Sequence, residues 1–298
     1  MNNALLDQKE LIEGYIRQRP SVHSAFSFVN IFSWKDFFVF QLEIIDENLC
    51  VFAFHPLGCF LYLPPLGKNM SQKALEVCFD RMEQANRGNG FSRIENVTEK
   101  QLAHFEGGPY ILHKKNYEYC YYRRDISDLR GNDYKSQRGL YNFFTRNYDY
   151  EYVPYSSDLY EECGVLYDRW ATERKANSTD DIYRHMLEEN RLVHRSAIKH
   201  ARALGLVGRI VKVDGQVQAY TFGYQITKDV FCVLFEVVNL AYKGLAVFMF
   251  REFCRDKVLS GYNFINCMDD FGMENVSMAK QAFKPCYLQA SYAVRRKI

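Results

Sequence analysis

Two runs rich in β-branched and aromatic residues, LVGRIVKV (206–213) and QVQAYTFGY (216–224), meet across Asp214-Gly215. That dipeptide tolerates positive φ at both positions, and a two-residue turn of that kind matches the twist of antiparallel strands. A third run, DVFCVLFEVVN (229–239), passes through AYKG (241–244) straight into the apolar helical stretch LAVFMFREFCRDKV (245–258). A meander followed at once by a glycine and a helix specifies an α+β unit. No other part of the chain narrows the fold so far.

The same order occurs earlier. A strand beginning near Phe37 turns at Asp46 to Asn48 into Leu49–Phe54, and a third strand, CFLYLP, ends at Pro64-Pro65. After the loop PPLGKNM, Ser71 stands as cap to a helix with Leu75, Cys78, Phe79 and Met82 at i, i+3, i+4 and i+7. An amphipathic segment from Leu5 to Arg19 precedes this half. Helical patterns at 134–148, behind Ser157 (Leu159, Cys163, Leu166, Tyr167, Trp170) and at 181–204 precede the other. The tail alternates strand FIN, a helix over 273–283 and strand YLQASYAV. Residues 123–134, RRDISDLRGNDY, are polar and turn-rich and read as a linker. The expected organisation is a first domain over 1–125, a linker and connecting helix over 126–150, and a second domain over 151–298. No residue-level repeat accompanies the shared order.

With 298 residues the chain has the length of two ordinary domains. Lys and Arg total 38 against 36 Asp and Glu, a net charge of 38 − 36 = +2, so no global field draws it to nucleic acid or anionic membrane. The acidic N-terminal stretch is no signal peptide. The longest apolar runs, such as Leu245–Phe250, fall far short of the ~20 residues that span a bilayer. Nine cysteines, an odd number with no CxxC pair, argue against a disulfide framework or zinc ribbon and for reduced thiols in a cytoplasm. His194 and His200 are six apart, on different helix faces, and no other spacing suggests a metal. Walker, G-x-S-x-G and dinucleotide fingerprints are absent from the sequence.

A strand entering a helix through a tight glycine loop presents backbone N–H groups and a helix dipole, a natural seat for pyrophosphate. GNAT acetyltransferases hold coenzyme A with such a loop, of pattern Q/R-x-x-G-x-G/A. Here Gly244 and Ala246 match, Ala241 replaces the leading Gln or Arg, and Lys243 brings a charge nearby. The competing reading is that Gly244 only starts a buried helix. Strings along most of the chain (SFVNIFSWKD, YLPPLG, GNDYKSQRGLYNFF, LVGRIVKVDGQVQAYTFGY, FINCMDDFGMENVSMAKQAFKP) resemble a bacterial family related to the soluble C-terminal domain of phosphatidylglycerol lysyltransferases. The resemblance implies an α+β fold of two tandem GNAT-like domains, each a mixed, mostly antiparallel sheet flanked by helices, as in the Fem-type aminoacyltransferases. It implies an acyl or aminoacyl transferase whose donor is aminoacyl-tRNA or, through the glycine loop, coenzyme A or acyl-CoA, with a small amine or hydroxyl acceptor.

Residue by residue, Lys135, Arg138 and Asn142 meet the family pattern K-x-x-R-x-x-x-N, and Glu236 corresponds to its acid on the strand before the loop. The late Asn-Arg-Glu-Asp-Asp-x-Gly stretch becomes Asn266-Cys267-Met268-Asp269-Asp270-Phe271-Gly272, so an Arg-Glu pair is lost while both Asp remain; Lys280 and Lys284-Pro285 match. The lysyltransferases' membrane domain has no counterpart here, which sets lipid flipping aside and makes integral membrane association unexpected. Glu236, Asp269 or Asp270 would act as base, and Lys280 or Lys284 would face an oxyanion or phosphate. Lys135, Arg138, Asn142, Lys243, Gly244 and Ala246 would bind the donor. Plainer roles stand beside these: the Asp pair as caps, Lys280 as helix surface, and the Arg- and Tyr-rich stretch 117–155 as linker and helix rather than a grip on tRNA. The lost Arg-Glu pair also motivates a non-catalytic module binding a nucleotide or acyl donor.

Overall fold

The computed structural model describes residues 4–297. They form two compact units, the first of residues up to 118, 269–273 and from 288, the second of 119–268 and 274–287.

In unit 1, helices α1 (Ala4–Asp7), α2 (Lys9–Gln18) and α3 (Phe28–Ser33) precede strands β1 (Val39–Ile45), β2 (Asn48–His55) and β3 (Gly58–Leu61). The strands form an antiparallel meander whose first turn pairs Ile45 with Asn48. Helix α4 (Gln72–Asn86) starts where the Ser71 side chain accepts from Ala74 N, and its Leu75, Cys78, Phe79 and Met82 are fully buried. The crossover returns the chain as β4 (Ile94–Thr98), parallel to β3. Beyond β4 lie β11 (Tyr287–Arg296) and then β5 (Tyr110–Tyr122), giving the order β1-β2-β3-β4-β11-β5. β11 runs antiparallel to β4, with Ser291 opposite Thr98 and Tyr292 opposite Val97.

In unit 2 the order is β5-β10-β9-β8-β7-β6, from β6 (Tyr150–Pro154), β7 (Val207–Val213), β8 (Gln216–Gln225), β9 (Val230–Val238) and β10 (Phe264–Asn266). Asp214 and Gly215 have φ of 52° and 73°, as their turn requires. One sheet face is covered by α7 (Tyr160–Ala176) and α8 (Asp181–Lys199), with Leu166, Tyr167 and Leu187 against Ile210, Tyr220, Phe222 and Val237. The short α9 (Ala201–Leu204) leads into β7. The opposite face is covered by α10 (Leu245–Arg255) and α6 (Lys135–Asn147), with Leu245, Phe248 and Met249 on Val211, Ala219 and Val238. α10 crosses over to β10, parallel to β9, and β10 pairs antiparallel with β5. Each unit is thus a mixed, mostly antiparallel sheet with one parallel step made by a helical crossover. α11 (Glu274–Gln281) completes unit 2.

The structure departs from the sequence reading in three places. Residues 123–134 are no linker: α5 (Arg123–Asp128) buries Ile126 and Ser127, followed by buried Leu129. Its polarity serves backbone carbonyls, with Arg123 Nε donating to Tyr262 O at 2.8 Å and Nη1 to Cys254 O at 3.0 Å. The compact units divide at 118/119, not at 125–151, and the tail from 288 returns to unit 1. Strand β6, with the sequence YEYVP, lies unpredicted at a sheet edge.

Candidate functional site

The geometry around Glu236 begins with a register shift. Thr221 faces Glu236 and Phe222 faces Phe235, but Gly223 faces Val233, so Leu234 is an extra residue in β9, a β-bulge. Gly223 is required there, because a Cβ would strike the Cys232 carbonyl and the Phe231 ring. On its other side β9 pairs with β10 only at Val230, Phe231 and Cys232. From the bulge onward β9 keeps β8 as neighbour and diverges from β10, and Glu236 sits on this diverging stretch.

Cross-strand neighbours share a face, so Glu236 lies on the side of Thr221, Ala219 and Val238, the side that α10 covers. Its Oε2 is buried and has no hydrogen-bond partner. Burial raises its carboxyl to about 8 from an ordinary 4.5, because ionisation would place a charge where little solvates it. Two thiols feel this group. Burial pushes Cys254 and Cys267 up, and the nearby Glu236 pushes both further. The Lys280 ammonium partly opposes this at Cys267.

Lys280, in the last turn of α11, donates to Cys267 O at 2.6 Å and Met268 O at 3.2 Å, and lies 5.5 Å from the Tyr119 ring centre. Cys267 N donates to Tyr119 O and Met268 O accepts from Tyr119 N, while Tyr121 Oη donates to Lys280 O. The segment that carries Cys267-Met268 in place of the family's Arg-Glu is therefore latched to β5 and α11. Glu236, Cys254, Cys267 and Lys280 come together in unit 2. The thiols were not legible as site residues, since a cysteine on an apolar stripe reads as core.

The other expected residues take separate places. Asp269 Oδ1 accepts from Phe271 N at 3.1 Å and Asp270 Oδ1 from Gly272 N at 3.0 Å, turn bonds within a segment of unit 1. Arg138 Nη1 donates to Leu129 O and, at 2.6 Å, to Gly131 O, fixing the turn before α6. Lys135 and Asn142 are exposed on α6, and Lys284 is exposed just past α11. Gly244 caps α10 with φ 87°; a Cβ there would meet the Leu140 carbonyl of α6 and lie 3.2 Å from Phe144 Cβ. Lys243 extends over the Phe143 ring of α6 at 4.8 Å, and Ala246 packs on the α10 core. In the basic stretch, Arg124 and Arg130 both pair with Asp128, at 3.7 and 3.3 Å. Among the described residues no group of three or more His, Cys, Asp or Glu is placed to hold a metal ion, and no helix is long and apolar enough to cross a membrane.

A mostly antiparallel strand order with one parallel step made by a helical crossover, present in each unit and accompanied in unit 2 by the bulge in β9, defines a tandem GNAT-like fold. Solved structures bear this out. A tandem GNAT protein from the clavulanic acid biosynthesis pathway is similar at TM-score 0.52 and 7% identity, over 100% of this chain and 96% of that one. A conserved protein of unknown function from Bacteroides thetaiotaomicron is similar at TM-score 0.85 and 24% identity, over 98% and 97%. The C-terminal domain of a protein assigned as lysylphosphatidylglycerol synthetase, from Agrobacterium fabrum, is similar at TM-score 0.67 and 12% identity, over 100% and 92%. No curated protein matches the sequence. Residues 16–295 match the family described as phosphatidylglycerol lysyltransferase, C-terminal, and the chain belongs to that family. Its general character is that of an acyl- or aminoacyl-transferase-like protein.

Proposed function

We propose that the protein transfers an aminoacyl group from aminoacyl-tRNA to an amine or hydroxyl acceptor, with Glu236 taking the acceptor's proton. The observation that carries this reading is the buried, unpartnered Oε2 of Glu236 on the stretch of β9 that leaves β10. A carboxylate held without a donor is costly to the fold. It is suited to a step in which a substrate supplies the donor. Its raised carboxyl lies in the range where a base accepts and releases protons near neutrality. Lys280 supplies positive potential beside Cys267 and Met268, where charge developing on an ester oxygen would be stabilised.

Aminoacyl-tRNA is favoured over coenzyme A on two grounds. Ala241 stands where the coenzyme A loop carries Gln or Arg. The Gly244 loop is also occupied by its own packing on α6, with Lys243 over Phe143. The test is transfer of labelled amino acid from a panel of charged tRNAs to amine and hydroxyl acceptors. Glu236→Gln is expected to lower the rate by about 10²–10⁴-fold. Transfer unaffected by that change would overturn the assignment of the base.

A second reading, a binding module without chemistry, draws on the same site. Cys267-Met268 replace the family's Arg-Glu, and Lys280 is engaged by two carbonyls. It expects a non-hydrolysable aminoacyl-tRNA analogue to bind, with no turnover from any charged tRNA.

A further inference from the structure

We infer that β1 is an interface through which two copies of the chain join, strand to strand, about a two-fold axis at Leu42. The inference is independent of the transfer reading.

β1 stands at one end of the strand order, with β2 as its one neighbour. Its turn into β2 has two residues, Asp46 and Glu47, with φ of 47° and 63°, so Ile45 and Asn48 form a pair that exchanges hydrogen bonds. Alternation then turns the backbone groups of Glu43, Gln41 and Val39 toward β2 and those of Ile44, Leu42 and Phe40 away from it. The far side of β2 agrees. Leu49, opposite Ile44, exchanges bonds with Leu66, and Val51, opposite Leu42, accepts from Tyr62 N. Among the described residues no hydrogen bond reaches the outward groups of Phe40, Leu42 and Ile44.

Edges of this kind are normally guarded by a proline, a lysine, a bulge or short length. β6, the edge of unit 2, has five residues and ends at Pro154. β1 has seven, VFQLEII, in unbroken register with β2 and with neither proline nor lysine. Val39 is 66% exposed and Ile44 55%.

The strand is also its own complement. An axis at Leu42 sets outward residues opposite outward residues, Leu42 against its copy and Phe40 against Ile44, so every outward N–H meets a carbonyl. Between them Gln41 falls opposite Glu43, and Val39 opposite Ile45. Phe40 with Ile44 is an aromatic and β-branched pair of the kind that stabilises sheets. The Gln41 amide donates to the partner's Glu43 carboxylate, which already pairs with Arg81 of its own α4. An axis at Glu43 would instead oppose two carboxylates. One at Gln41 would leave Ile44 and Ile45 beyond the partner's strand. Charge and length together select Leu42.

The test is sedimentation of the full chain. One strand pair is small beside a stable dimer interface, so a dissociation constant of about 10–100 µM is expected, read over about 1 µM to 1 mM. Leu42→Pro removes the central donor without touching the bonds to β2, and should weaken the dimer about 30-fold. Gln41→Glu should weaken it and Gln41→Lys tighten it, each by about 5-fold, because every substitution acts twice across the axis. Should circular dichroism find Leu42→Pro misfolded, the two Gln41 variants decide alone. A protein monomeric over the whole range, or a dimer on which Gln41→Glu and Gln41→Lys act alike, overturns the inference.

Discussion

Each unit buries a carboxylate in the strand pair that its helical crossover joins, and the two are treated in opposite ways. Glu95, on β4 of unit 1, receives Arg93 Nε at 2.5 Å and Lys115 Nζ at 2.7 Å. Burial alone would raise its carboxyl, but Lys115 and Arg93 outweigh that and hold it below the ordinary range. Glu236, on β9 of unit 2, has a bulge beside it and no partner for Oε2, and its carboxyl rises to about 8. The helix starts differ likewise: α4 is capped by a serine side chain, whereas α10 begins at a glycine pressed on the Leu140 carbonyl. A buried acid made safe by two cations serves the fold. On the transfer reading proposed above, one whose Oε2 has no partner on a diverging strand is held for a substrate.

The contrast can be broken from either side. The largest effect expected is on transfer, where Glu236→Gln should cost about 10²–10⁴-fold in rate while Glu95→Gln costs little. Next, Arg93→Met should destabilise unit 1 by about 3 kcal/mol in urea unfolding, since it strips one partner from a buried carboxylate. Glu236→Gln should act oppositely on stability. The folded carboxyl titrates near 8 and the unfolded one near 4.5, so the folded protein binds more protons between those values. Wild-type stability from this group therefore falls as pH rises from 4.5 to 8. The Gln variant escapes that loss, gaining about 1–3 kcal/mol by pH 8, read as a higher melting temperature.

Smaller effects sharpen the comparison at the helix starts. Gly244→Ala should cost about 1–3 kcal/mol, through a strained positive φ and displacement of α6. Ser71→Ala should cost about 1 kcal/mol, the usual loss of a cap. Unit 2 also carries an acid-side marker in His194, whose Nδ1 lies 2.9 Å from Tyr220 Oη and whose ring stacks on Phe235 at 4.0 Å. Burial lowers its pKa to about 3 from 6.5, so its contribution is complete above pH 6.5 and is lost as pH falls toward 3. His194→Gln should flatten that acid limb of the stability profile.

What the sequence disclosed follows the range of the interactions. The Ser71 cap, the stripe from Leu75 to Met82 and the Asp214-Gly215 turn depend on residues a few positions apart, and all were legible. The mapping onto Glu236 put an acid in an otherwise apolar strand, an oddity that pattern alone reveals. The bulge at Leu234 was hidden, because register depends on the partner strand. The thiols of Cys254 and Cys267 were hidden too, since only the fold brings them to Glu236. Arg138 read as a donor-binding cation and Arg123 as part of a linker, because no sequence rule foresees arginines spent on backbone carbonyls.

The position of β11 has a consequence in time. Unit 1 supplies β1 to β4 from the first hundred residues, yet the strand that pairs along β4 comes from 287–296. A ribosome making this chain must deliver all of unit 2 before that edge can close. Until then the edge of β4 away from β3 has no native neighbour, and such open edges invite wrong pairing. Chains stalled or cut ahead of residue 287 should therefore be captured by chaperones through unit 1, the half that was synthesised first.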